Sequence, residues 1–181
     1  MKEENSIENT VAFYWQLFKR LKYVLLIIVA ASVLQLFLGE FNLSFSKEIL
    51  LILIIAKVVS IVALSFNQLT KIIGHSHLLS HILVLFTVLI GIIVFSFAAD
   101  FTALHLLDDH SFKVDVQTNQ SFFSLFFNYL YMSTVTFSSV GFGDITPISS
   151  LAKFVVMLEI GLRFFVLVFG IANINQIRVN K

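Results

Sequence analysis

Four long apolar runs divide this chain of 181 residues, roughly Lys22 to Leu38, Ile49 to Phe66, Leu78 to Ala99 and Leu151 to Ala172. A bilayer core is crossed by about 20 apolar residues in a helix. Lipid offers the backbone no hydrogen-bond partner, so a run of that length must close its own bonds along the helix. The expected fold class is therefore an all-α integral membrane protein with four transmembrane helices. A content of 58% hydrophobic and only 13% charged residues is outside the range of soluble domains. The chain has no cysteine, which removes disulfides, thiolate metal sites and cysteine nucleophiles. No nucleophile with a base, metal triad or phosphate-cradling loop is present, so neither an enzyme nor a resident cofactor is expected.

Between the third and fourth runs lies a shorter one. Phe122 to Val135 is apolar and aromatic-rich but only about fourteen residues long, too short to cross a bilayer and suited to a re-entrant helix. Irregular backbone at membrane depth is tolerated only where protein buries it or it lines a wet cavity. Ser133, Thr134, Thr136, Ser138 and Ser139 supply hydroxyls for the backbone groups freed where such a helix stops. Gly141 and Gly143 follow, alternating with Val140 and Phe142, and Asp144 closes the segment. Glycine at every second position permits backbone that a Cβ forbids. Pro147, the chain's one proline, marks a turn, and Ser149 or Ser150 can cap the fourth long helix.

The segment Thr136-Phe137-Ser138-Ser139-Val140-Gly141-Phe142-Gly143-Asp144 resembles the selectivity filter of potassium channels. With the outer helix, re-entrant helix and inner helix around it, the resemblance covers residues 81 to 172. It implies a homotetramer in which K+, the permeant ion, exchanges its water shell for rings of carbonyls from Ser139, Val140, Gly141 and Phe142, with Gly143 completing the filter. Tyr131, Thr136 and Ser138 would support the filter, and Asp144 would stand at its outer mouth. Ser139 replaces the usual threonine and Phe142 the usual tyrosine. Phenylalanine cannot donate the hydrogen bond that braces tyrosine against the pore helix, so a filter prone to inactivation is expected.

Loop charge gives the orientation. Lys19, Arg20 and Lys22 precede the first run, Lys71 follows the second, and Arg178 and Lys181 follow the fourth. Positive charge stays inside, so both termini are expected in the cytoplasm of a plasma or cell inner membrane. The filter then faces outward, with Glu40, Glu48, Asp100, Asp108, Asp109, Asp115 and Asp144 as external, solvating charges.

Three charges fall within apolar runs: Lys57, Glu159 and Arg163. Buried charges at such depth are costly and tend to be paired. Glu159 and Arg163 are four apart on one helix face, and Lys57 lies at a comparable depth, so a buried ion pair among them is expected. The alternative has Arg163 facing the pore, where four arginines would repel cations. Gly161 and Gly170 are candidate hinges of the inner helix. His75, His77 and His81 cluster at the cytoplasmic start of the third run, within reach of internal pH. The first two runs hold no arginine ladder, so voltage sensing by that route is not expected.

The expected organisation is an amphipathic cytoplasmic segment over 1–21, two peripheral helices over 22–77, a pore domain over 78–175 and a short tail over 176–181. The expected function is passive, potassium-selective conduction with membrane lipid as surroundings and no nucleic acid partner. The alternatives are a weakly selective cation channel and a non-conducting subunit that regulates a partner channel.

Overall fold

The computed structural model describes residues 22, 25–37, 45–73, 79–114 and 121–179. The amphipathic segment 1–21, His75 and His77 lie outside these residues. The described chain is mostly helical. Its helices are α1 (Leu25–Phe37), α2 (Ser46–Ile73), α3 (Leu79–Leu107), α4 (Phe122–Phe137) and α5 (Ser150–Val179). A 3-10 turn, Asp109–Ser111, and two short strands, β1 (Phe112–Val114) and β2 (Ile145–Pro147), complete it.

The helices α2, α3 and α5 contain 28, 29 and 30 residues. At 1.5 Å per residue each is about 42–45 Å long, more than a bilayer core of about 30 Å. Among the described residues, Phe86–Leu107 is the stretch long and apolar enough to cross a membrane, judged by length and composition.

Helices α2 and α5 each turn one stripe inward at helical spacing. On α2 the stripe is Ser46, Leu50, Ile54, Lys57, Ile61 and Ser65; on α5 it is Ala152, Val155, Glu159, Leu162 and Val166. Steps of three and four residues keep these positions on one face. The opposite faces carry exposed Ile52, Ile55 and Val59 on α2 and Met157, Phe164, Leu167 and Val168 on α5. An apolar outer face of this kind suits lipid or further protein.

Helix α3 is central and packs against α2, α4 and α5. From Ser96 to Leu104 every residue of it is buried. The third run was expected to stop at Ala99 because Asp100 reads as an external charge. In the structure α3 continues to Leu107, and Asp100 is 1% exposed. A partner on α2 satisfies the carboxylate, so the charge does not end the helix. The residues beyond the expected end of the third run, Phe101 to Leu107, accordingly form two further helical turns.

Aromatic rings tie the top of α3 to β1 and α4. Phe101 lies 6.1 Å from Phe97, 5.6 Å edge-on from Phe112 and 6.3 Å from Tyr129, while Phe112 and Tyr129 are 5.0 Å apart. Such pairs contribute about 0.5–1.5 kcal/mol each beyond the area they bury. The Tyr129 hydroxyl and His105 Nδ1 are 3.0 Å apart.

Strand β1 pairs antiparallel with β2 in the register Phe112 to Pro147, Lys113 to Thr146 and Val114 to Ile145. The amide of Ile148 donates to the Ser111 carbonyl at 2.8 Å, extending the connection. In a two-stranded ladder both strands are edges, which is where a strand tolerates proline. Ser149 caps α5, its Oγ accepting from the Ala152 amide at 3.1 Å, in line with the expected serine cap.

Candidate functional site

Helix α4 and the loop after it form the candidate site. Helix α4 has 16 residues, two more than a stop at Val135 would give, and it ends at Phe137. Hydroxyls cap carbonyls on the way out: Thr134 Oγ1 donates to Leu130 O at 2.7 Å and Ser138 Oγ to Val135 O at 3.2 Å.

The helix closes in a Schellman motif. The Val140 amide donates to Val135 O and the Ser139 amide to Thr136 O, each at 3.0 Å, which are the two bonds of that cap. The motif requires left-handed backbone at its pivot, here Ser139 with φ +59°. Glycine usually fills this position. A residue with a Cβ pays about 1–2 kcal/mol for it. The loop stays in this unusual region at alternate positions, with Gly141 at φ +58° and Gly143 at φ +81°. Two of these positions were legible as glycines. Ser139 was not, because nothing in its residue type signals a left-handed conformation.

The loop is exposed from Ser138 to Asp144. Val140 is 54% and Phe142 69% exposed, so a single chain leaves this apolar pair uncovered. The Phe142 ring stacks on Tyr131, with centroids 6.4 Å apart and planes 2° from parallel. Tyr131 also lies within electrostatic reach of the Asp144 carboxylate. Tyr131 thus touches both sides of Gly143. Thr136 contributes its carbonyl to the cap on Ser139.

Two buried polar clusters lie between the helices, and they differ from the expected ion pair. Lys57 does not meet Glu159. Its ammonium forms a salt bridge with Asp100 and donates to Gln35 Oε1 at 2.7 Å and Ser32 Oγ at 3.3 Å. An ammonium has three protons, and α1 and α3 supply three acceptors. Gln35 and Asp100, with exposures of 0% and 1%, were missed as partners because nothing in their local sequence links them to Lys57.

Glu159, fully buried, meets Ser133 of α4 with its Oε1 2.5 Å from Ser133 Oγ, which also lies 3.0 Å from the Val94 carbonyl of α3. Arg163, the expected partner one turn on, instead lays its guanidinium 5.4 Å above the neighbouring Phe164 ring. Helical spacing put Glu159 and Arg163 within reach, but their surroundings differ: Glu159 turns into the helix contact while Phe164 is exposed.

Of the hinge candidates, Gly161 is exposed with open space where a Cβ would stand, and α5 runs helical through both Gly161 and Gly170. His81 lies in α3.

A family model described as an ion channel matches residues 82–179, over half of the chain. No curated protein and no solved structure matches it.

Proposed function

The chain belongs to the ion channel family, and we propose that within it this chain is a potassium-selective channel. K+ passes passively through a filter made by the carbonyls of Ser139, Val140, Gly141 and Phe142. The observation that carries this reading is left-handed backbone at every second residue, Ser139, Gly141 and Gly143. Alternation of this kind lets successive carbonyls share one axis, which a carbonyl-lined ion site needs.

Four copies surround the axis. One copy leaves Val140, Phe142 and the loop backbone exposed, and irregular backbone at membrane depth must be buried in protein or line a wet cavity. A ring of four chains supplies both. In each, the four long apolar runs that hold α1, α2, α3 and α5 cross the membrane, α4 enters from outside and returns, and Asp144 stands at the outer mouth with both termini in the cytoplasm. The C-terminal end of α4, with its partial negative charge, favours a cation beneath the filter.

One observation favours a second reading, a weakly selective cation channel. The stack of Tyr131 on Phe142 stands where a hydrogen bond would otherwise brace the filter, and a stack is worth only about 0.5–1.5 kcal/mol.

The test is the reversal potential of purified protein in a planar bilayer with potassium on one side and sodium on the other. A value at the potassium equilibrium potential is expected. A value near zero with clear current would select the weakly selective channel, and no current from verified tetramers would select a regulatory subunit.

A further inference from the structure

Glu159 is enclosed by α3, α4 and α5, and its exposure is 0%. Among the described residues no salt bridge reaches it. Lys57 of α2 is held by Asp100 of α3, and Arg163 of α5 lies over Phe164. The polar group that α4 presents is Ser133, and α3 presents the Val94 carbonyl.

Proton counting decides what this arrangement can be. Ser133 has one hydroxyl hydrogen, yet its oxygen lies within bonding distance of two oxygens, Val94 O at 3.0 Å and Glu159 Oε1 at 2.5 Å. A carbonyl can only accept. If Glu159 were ionised, it too could only accept, and one of the two contacts would lack a proton. The other carboxylate oxygen, Oε2, is buried without any partner, which a full charge makes far costlier than a neutral acid does. A protonated Glu159 resolves both. Its O–H donates to Ser133, and the Ser133 O–H donates to Val94 O.

We propose that Glu159 is a positioning residue for conduction: as a neutral acid it donates to Ser133 and so fixes α4 against α3 and α5, close behind the loop that begins at Ser139. This rests on the channel reading. Ser133 sits on the turn of α4 next to Val135 and Thr136, whose carbonyls hold the cap on Ser139 and Val140. The hydrogen bonds from Glu159 through Ser133 to Val94 O therefore tie α5 and α3 to α4 two and three residues before the carbonyls that hold the loop's first left-handed residue. Loss of the proton would put two acceptors face to face and loosen α4.

The experiment uses the full chain in liposomes, reading potassium flux for wild type, Glu159→Gln, Glu159→Ala and Ser133→Ala. The amide of Glu159→Gln keeps a donor, so its flux stays within about twofold of wild type, whereas Glu159→Ala and Ser133→Ala lose about tenfold, the scale of one buried hydrogen bond. Raising pH from about 7 to 10 lowers wild-type flux and leaves Glu159→Gln flat, which separates this carboxyl from other titrating groups. Glu159→Gln as defective as Glu159→Ala, or an alkaline response that Glu159→Gln shares, would overturn the proposal. Infrared difference spectra of wild type minus Glu159→Gln supply a readout independent of flux. A protonated-carboxyl band at neutral pH upholds the neutral acid, and its absence overturns it. Such a band in wild type that carries no potassium would count against the channel reading alone.

Discussion

Lys57 and Asp100, 43 residues apart in sequence, form a buried ion pair that joins α2 to the last third of α3. With Ser32 and Gln35 the pair also reaches α1, so one ammonium connects three helices. Removing one partner strands a charge in the interior, at a cost of about 3–5 kcal/mol. Asp100→Ala should therefore sharply lower thermal stability in detergent, and the double variant Lys57→Met with Asp100→Leu should recover most of the loss. If the single and double variants were equally unstable, the pair would not be the source.

At Gly141 and Gly143 an added Cβ meets nothing within 4 Å. Space is no obstacle, so a substitution acts through backbone conformation, at about 1–2 kcal/mol for a left-handed alanine. Gly141→Ala and Gly143→Ala are expected to abolish potassium selectivity while the helical content measured by circular dichroism is retained. Unchanged selectivity in either would separate the left-handed backbone from conduction.

Tyr131→Ala removes the ring stacked on Phe142, and Tyr131→Phe keeps it. The first should speed current decay in low external potassium by roughly twofold to tenfold, corresponding to about 0.5–1.5 kcal/mol. Tyr131→Phe should fall between it and wild type if Asp144 contributes through the hydroxyl. Equal decay in all three would assign filter stability elsewhere.

At the start of α2, Lys47 donates at 2.8 Å to Asp108, just past the end of α3. That hydrogen bond is the main reason the Asp108 carboxyl lies below its ordinary value of 3.8. A lowered folded value means that the ion pair stabilises above pH 3.8 and that its contribution is lost as pH falls through the lowered value. Lys47 is 54% exposed, so screening keeps the contribution at about 0–1 kcal/mol. Lys47→Met should leave neutral-pH stability nearly unchanged, and a large neutral-pH loss would reveal another role for this lysine.

The apolar runs made the helices legible, and the short aromatic run with its two glycines made the site legible. Cross-helix pairing was not. Asp100 reads in sequence as the place where an apolar helix ends, and only Lys57 from a distant run explains why it continues to Leu107. Spacing of four residues suggested Glu159 with Arg163, but spacing describes one helix, and the partner of Glu159 comes from α4. The left-handed Ser139 was hidden for a related reason: its conformation is imposed by the cap of α4 rather than announced by residue type.

The ladder between β1 and β2 has a consequence for how this chain can vary. The loop that follows α4 leaves from a closed helix cap at Ser139 and Val140 and arrives at a strand held rung by rung, with Val114 opposite Ile145. It is a bridge between two abutments, and a bridge of fixed span admits new planks but not more of them. Drift in this segment can proceed by substitution, whereas adding or deleting a residue would shift either the cap or every rung beyond it. Length, more than composition, is the property that residues 138 to 144 must keep.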